Sequence, residues 1–285
     1  MLKIGTRGSK LATTQARHIR DAIRAKGFEC ELTIVSTPGD QSKDPVAQIG
    51  VGVFTQALRE AMAKGECDIA VHSYKDLPTT PDPRFKLVVP RRADAREALV
   101  ARGGLKFEQL PDGATIGTGA PRRIAQLKAM RPDLNIVPLR GNIDSRLARV
   151  GMDYDGIMLA AAGLQRISAL QQATQLFDAH VFLPAPAQGA LAVEANPNAA
   201  KAIEHLVCPE ATWQTAAERV LLNRLEAGCS APVAAYAIGT TLVAGVFAID
   251  GKTKIVDSFR GDDPVELGER AAKTLLQRGA AELLR

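Results

Sequence analysis

Short apolar runs alternate with helix-period segments along the first two-thirds of the chain. Leu2–Gly5 reads as a strand, and the apolar spacing of Leu11–Lys26 as an amphipathic helix stopped at Gly27. Glu29–Ser36 alternates with period two, as a strand with one buried face does, whereas Val53–Lys64 returns to the helical period and stops at Gly65. Asp68–His72 and Lys86–Pro90 are strands again. The pattern then restarts with strand Ala114–Gly117 and helix Pro121–Met130, whose proline stands in the first turn, where a missing N–H breaks no helical bond. Ile136–Leu139, Ile143–Val150 and Gly156–Ala160 continue it. Strands alternating with helices predict an α/β architecture with mostly parallel sheets.

The rhythm changes at Phe182–Gly189, FLPAPAQG, where Pro184, Pro186 and Gly189 interrupt regular structure and predict a crossing between lobes. Cys208–Pro209 marks a second boundary. After it come helix Ala211–Leu225, strands Val233–Gly239, Leu242–Ile249 and Lys254–Phe259, and helix Pro264–Leu284, which read as a small α+β unit. The expected division is a first α/β lobe of residues 1–92 and 187–207, a second of residues 93–186, and an α+β domain of residues 208–285.

Hydrophobic residues make up 46% and charged residues 24% of the 285, ordinary values for a globular protein. No apolar run reaches the ~20 residues of a membrane span. The opening MLKIGTRGSKLA lacks the apolar core and cleavage site of a signal peptide, so a cytoplasmic protein is expected. The net charge of +5 is carried by 23 arginines against 13 lysines. Arginine presents a planar fork that matches a carboxylate or phosphate in two hydrogen bonds. No basic run exceeds two residues and aromatics are only 4%, which disfavours nucleic acid and favours a small polyanion. Codon bias toward arginine explains the same excess, so position has to decide.

The four cysteines, Cys30, Cys67, Cys208 and Cys229, are far apart and form no CxxC or Cys/His cluster. Neither a metal site nor a disulfide framework is expected. Cys30 and Cys67 lie beside apolar runs and read as core residues. Cys229, in LEAGCSAP at a glycine-marked helix exit, reads as a nucleophile or attachment point.

Cations recur where strands end. HSYKDLP (His72–Pro78) follows a strand, and ligands of open α/β sheets bind at the carboxyl ends of strands. Lys75 there suits an anion, and Asp76 a proton or developing cation; the plainer reading is a capped turn with a surface ion pair. GTGAPRR (Gly117–Arg123) opens a helix with two arginines, which oppose the helix dipole unless an anion compensates. LRGNIDSRL repeats the arrangement with Arg140, a capping Asn142 and Arg146, and TRGS repeats it with Arg7 and Ser9. One such arginine is a solvated charge; four strand-end sites predict a shared anion-binding cleft.

These segments, IGTRGSKLA, AVHSYKDLPT, GTGAPRR, LRGNIDSRL, LPAPAQGAL and AERVLLNRLEAGCSAP, resemble the porphobilinogen deaminase (hydroxymethylbilane synthase) family in order and over nearly the whole chain. The resemblance implies two lobes like those of periplasmic binding proteins around a cleft, with a third domain whose cysteine holds a dipyrromethane primer through a thioether. It implies stepwise head-to-tail condensation of four porphobilinogen units with loss of ammonia, releasing hydroxymethylbilane for haem biosynthesis. Carried over by motif, Cys229 is the attachment site and Asp76 the catalytic carboxylate, with Lys75 beside it. Arg7, Ser9, Thr118, Arg122, Arg123, Arg140, Arg146, Arg166 and Gln188 are ligands for acetate and propionate groups. A cytoplasmic monomer without nucleic-acid, membrane or metal partners is implied. Val51, Pro38, Ala120 and Pro121 depart from the family pattern, the first two in a loop over the cleft.

The competing reading is a non-enzymatic small-anion-binding protein of the two-lobed receptor class. The missing signal peptide and the separate cysteine-bearing unit count against it. The effector part of a transcription regulator is disfavoured because the chain opens on a strand, with no room for an N-terminal helix-turn-helix. An unrelated cysteine-nucleophile transferase would carry no pyrrole on Cys229.

Overall fold

The computed structural model describes residues 1–35, 53–228 and 231–284. In chain order, β1 (Leu2–Thr6), α1 (Lys10–Arg24), β2 (Cys30–Ile34), α2 (Val53–Ala63), β3 (Ile69–Ser73) and β4 (Lys86–Val88) come first. β5 (Glu97–Ala101), β6 (Thr115–Gly117), α3 (Pro121–Met130), β7 (Asn135–Val137), α4 (Ile143–Leu147), β8 (Gly156–Ala160), α5 (Ala161–Arg166) and β9 (Gln175–Leu176) follow. The chain continues through β10 (Leu191–Ala195), α6 (Ala200–Ile203) and α7 (Pro209–Arg224). It closes with β11 (Val233–Ile238), β12 (Thr241–Phe247), β13 (Lys254–Arg260), α8 (Pro264–Gln277) and α9 (Ala280–Leu283). These make two compact units, residues 1–93 with 190–212 and residues 94–189 with 213–285.

The first unit is built on a five-stranded sheet of order β2-β1-β3-β10-β4. β1 runs parallel to β2 and β3, and β10 runs antiparallel to β3 and β4. α1 starts where the Ser9 hydroxyl accepts the Ala12 N–H at 3.3 Å, and it buries the stripe Ala16, Ile19 and Ile23 on Ile4, Ile69 and Val193. The second unit repeats the plan in the order β7-β6-β8-β5-β9, with β6 parallel to β7 and β8 and with β5 reversed. Leu99, Ile116, Leu127, Met158 and Phe182 fill its core. The same unit holds the antiparallel sheet β11-β12-β13, on which α7 and α8 bury Leu221, Leu222, Leu267 and Leu275. Phe247 and Ala234 of that sheet meet Ala125 and Leu183, so the two sheets of this unit share a core.

The α/β expectation holds, with a small α+β element after it, but the sheets are not mostly parallel: two of the four pairings in each five-stranded sheet are antiparallel. Both reversed strands, β5 and β10, are absent from the sequence reading. The expected helix over 264–284 is two helices, because Gly279 takes a left-handed φ of 93° between them. The segment expected over 143–150 is helical only to Leu147, and the Asn142 side chain does not cap it. Among the described residues, no helix is long and apolar enough to cross a membrane.

Candidate active site

In the first unit β1 and β3 are neighbours in parallel register, Ile4 opposite Ile69, so their carboxyl ends lie side by side. Arg7 follows β1, half-buried, and Ser9 caps α1 two residues later. β3 ends at Ser73, whose hydroxyl accepts from Gln15 Nε2 at 3.1 Å. Tyr74, Lys75 and Asp76 then form one 3-10 turn. Leu77 pins that turn: its side chain is 1% exposed and its N–H donates to the Tyr74 carbonyl at 3.2 Å. The Tyr74 N–H donates to Ala190 O at 3.1 Å. Lys75 is half-buried and Asp76 exposed, so a buried anchor presents an accessible carboxylate.

In the second unit the carboxyl ends of β6, β7 and β8 carry Thr118, Arg140 and, after α5, Arg166. Gly117 is required at the end of β6, because a Cβ there would stand 2.9 Å from the Tyr154 ring. Thr118 is buried, with its N–H on Val137 O at 3.0 Å. α3 opens at Pro121 with no side-chain cap, and both of its arginines turn inward. Arg122 donates Nη1 to Leu183 O at 2.6 Å and Nη2 to Glu97 Oε1. Arg123 donates Nε to Glu97 Oε2 at 2.9 Å and Nη1 to Met158 O at 2.9 Å. Gln188 Nε2 completes the cluster, 3.0 Å from Glu97 Oε1 and 2.8 Å from Ala95 O.

Two cations at a helix start do need an anion, and Glu97 is that anion. Because β5 is reversed, its first residue lies opposite Ala160, at the same sheet edge as the ends of β6 and β8. Glu97 is wholly buried. Burial pulls the Arg122 pKa down and the Glu97 charge opposes that pull.

Arg166 is different. Its Nη2 donates to Gly189 O at 2.7 Å, and among the described residues no carboxylate pairs with it. Burial alone drives its pKa down to about 10. Arg140 is exposed, and Arg146, half-buried, donates Nε to the Gly141 carbonyl at 2.7 Å. Gly141 holds a φ of 104°, and a Cβ there would collide with the Ser145 hydroxyl. Arg122, Arg123 and Gln188 thus converge on one carboxylate, while Arg140 lies on the turn before α4 and Arg146 within that helix, bonded back to the turn.

Cys229 lies outside the described residues, as do Val51 and Pro38. α7 ends before it at Arg224, and Glu226 takes a left-handed φ of 51°. Cys30 and Cys67 are buried, and burial pushes both thiols up, Cys67 to about 11, which leaves them unreactive. Among the described residues no group of His, Cys, Asp or Glu is placed to hold a metal ion. Sequence reasoning missed Glu97 and also Glu218 of α7. Glu218, fully buried, accepts the Ala187 N–H at 2.6 Å and the Ala237 N–H at 2.7 Å, tying the FLPAPAQG segment to β11. Acidic residues inside short alanine-rich segments gave no signal that they would be buried.

Each of the two five-stranded sheets thus carries cations just beyond the carboxyl ends of its parallel strands, where open α/β sheets bind their ligands. The model for "porphobilinogen deaminase, dipyromethane cofactor binding domain" matches residues 2–204, and that for the porphobilinogen deaminase C-terminal domain matches residues 212–277. The chain belongs to the porphobilinogen deaminase family. It is similar to the porphobilinogen deaminase of Corynebacterium efficiens, 57% identical with 99% of each chain covered. It is 51% identical to that of Nocardia farcinica, covering 99% of this chain and 88% of that one. Among solved structures it resembles a periplasmic substrate-binding protein of an ABC transporter from Coxiella burnetii, with a TM-score of 0.44, 16% identity, and 74% of this chain and 95% of that chain covered.

Proposed function

We propose that this chain condenses four porphobilinogen units head to tail with loss of ammonia and releases hydroxymethylbilane, and that Asp76 is its catalytic carboxylate. The observation that carries the site assignment is Arg166, a half-buried cation that pairs with no carboxylate among the described residues and whose pKa burial lowers. Each pyrrole of the substrate bears an acetate and a propionate, so a growing chain brings in the charge that such a residue lacks. The acetates and propionates of dipyrromethane, the cofactor of the family, suit the donors of each unit: Arg7, Ser9 and Lys75 in the first, and Thr118, Arg140, Arg146 and Arg166 in the second. Arg122, Arg123 and Gln188, buried and bound to Glu97, act instead by holding the start of α3 and residues 182–189 in place. We assign attachment to Cys229, in the domain of residues 208–285, with residues 1–92 and 187–207 as first lobe and 93–186 as second. When bound, the cofactor supplies a terminal pyrrole carbon as nucleophile.

The protein's own part is positioning and electrostatics. Lys75 takes a substrate carboxylate. Asp76 donates a hydrogen bond or proton to the departing amine and, as carboxylate, faces the cation that develops on the incoming pyrrole as ammonia leaves. An exposed side chain on a pinned turn meets both needs, since substrate reaches it and its backbone holds still. We assign the protein to the cytoplasm as a monomer, without nucleic acid. Incubation with porphobilinogen tests the reading: ammonia and hydroxymethylbilane should form, four of the first for each of the second, and binding of porphobilinogen without ammonia release would return the chain to the anion-receptor class.

A further inference from the structure

Around the strand that leads into the Asp76 turn lies a buried polar cluster that the reaction as described does not use. Arg59 of α2 lays its fork along Glu194 of β10, with Nε 3.0 Å from Oε2 and Nη2 2.6 Å from Oε1. His72 of β3 brings Nε2 to 3.2 Å from the same Oε2. The three side chains are 6%, 1% and 2% exposed, so the ion pair and the imidazole beside it are held out of water. Burial pushes the Glu194 carboxyl up, yet its bonds and charge contacts with His72 and Arg59 hold it below the usual range. A fourth group closes the arrangement: Arg59 Nε stands 4.0 Å from Asp82 Oδ2. Asp82 in turn takes the Arg84 side chain at 3.0 and 2.7 Å and the Arg84 N–H at 3.1 Å.

The placement of these contacts along the chain gives them a purpose. Residues 74–85 form the connection from β3 to β4, and it carries Lys75 and Asp76. His72 lies two residues before its start, and Asp82 lies four residues before β4. Both ends of the connection therefore refer to one guanidinium, Arg59, through Glu194 at one end and directly at the other. Residues 70 and 72 of β3 face α2 and residues 69 and 71 face α1, so the cluster lies on the α2 face of the sheet. From there it fixes the register of β3 against β10, with Ala192 opposite His72, immediately before the chain turns.

We propose that Arg59 and Glu194 are positioning residues for the Asp76 turn: the buried pair sets where the carboxylate stands during chemistry, without touching substrate. This rests on the assignment of Asp76 as the catalytic carboxylate. Chemistry is more sensitive than binding to small displacements of a reacting group, so loss of the pair should lower kcat and leave KM nearly unchanged.

The test is a cycle of variants in the whole enzyme. Arg59→Met with Glu194→Leu removes both charges of the pair together and puts apolar side chains of similar size in their place, while Asp82 keeps Arg84. The expected result is about tenfold or greater loss of kcat with KM within about twofold. The same double change should have almost no effect in an Asp76→Asn background, because positioning a group that is absent has no consequence. Hydrogen exchange gives a second readout: the Tyr74 and Leu77 amides should exchange faster in the double variant, while those of β1 and α1 stay protected. If that variant does not fold, Glu194→Gln, which keeps the shape, is read the same way. Full kcat with wild-type exchange at Tyr74 and Leu77 overturns the proposal. So does a loss of kcat that persists undiminished beside Asp76→Asn. If Asp76→Asn alone turns over at the wild-type rate, the assignment of Asp76 has failed and this inference falls with it; a slow Asp76→Asn with a fast double variant removes this inference only.

Discussion

Arg123 reaches Glu97 with two nitrogens, Nε at 2.9 Å and Nη2 at 2.7 Å from Oε2, although both side chains are buried. The charge at the start of α3 is thus balanced inside the protein before any ligand arrives. Arg123→Leu should destabilise the fold by about 3 kcal/mol, because it strips a buried carboxylate of one partner. Urea unfolding at pH 7 checks this. A variant as stable as the parent would mean that Glu97 does not depend on Arg123.

Arg166 should behave in the opposite way. It is desolvated without a carboxylate partner among the described residues, so in the absence of bound carboxylates it lowers stability. In a Cys229→Ser background, Arg166→Met should raise the unfolding free energy by roughly 1–3 kcal/mol. In the wild-type background the gain should shrink or reverse and turnover should fall. Calorimetry on the four proteins separates the two cases; equal effects in both backgrounds would place no carboxylate at Arg166.

Glu194 predicts a limb of acid instability. Its folded-state pKa is depressed, despite burial, by His72 and Arg59. A depressed carboxyl stabilises fully above its unfolded value, about 4.3, and the contribution is lost as pH falls through the lower folded value. The urea midpoint of the wild type should therefore decline below about pH 4.3 more steeply than that of Glu194→Gln. Parallel curves for the two proteins would contradict the depressed value.

Asp76→Asn should keep the fold, since the side chain is exposed and the turn is pinned by Leu77 and backbone bonds. Turnover should fall by about 10²–10⁴ through loss of charge and of proton donation. Rapid-quench measurement of pyrrole addition is the check, and elongation near the wild-type rate would reduce Asp76 to a structural turn residue.

The parts of this molecule legible in the sequence are those with periodicity or punctuation. Gly27 and Gly65 ended helices where expected, Pro121 opened α3, and strand-end cations marked the sheet edges. β5 and β10 escaped because their sequences, EALVA and LAVEA, are alanine-rich and carry a glutamate, which is poor strand signal and reads as surface. Those two strands are fully buried, and their glutamates, Glu97 and Glu194, organise the arginines of each unit. A cation pair at a helix start does need an anion, but here the anion is Glu97 of the protein and not a ligand. That anion was invisible because the residues that meet, Glu97 and Arg122, are 25 positions apart. Tertiary pairing of charges leaves no local pattern, whereas capping and periodicity do.

The intact mass of the purified protein tests the central claim most directly. The wild-type chain should be heavier than its 285 residues by two pyrrole units, and Cys229→Ser should have the mass of the bare chain and no turnover. An active wild type at the bare-chain mass, or an adduct retained in Cys229→Ser, would contradict the account.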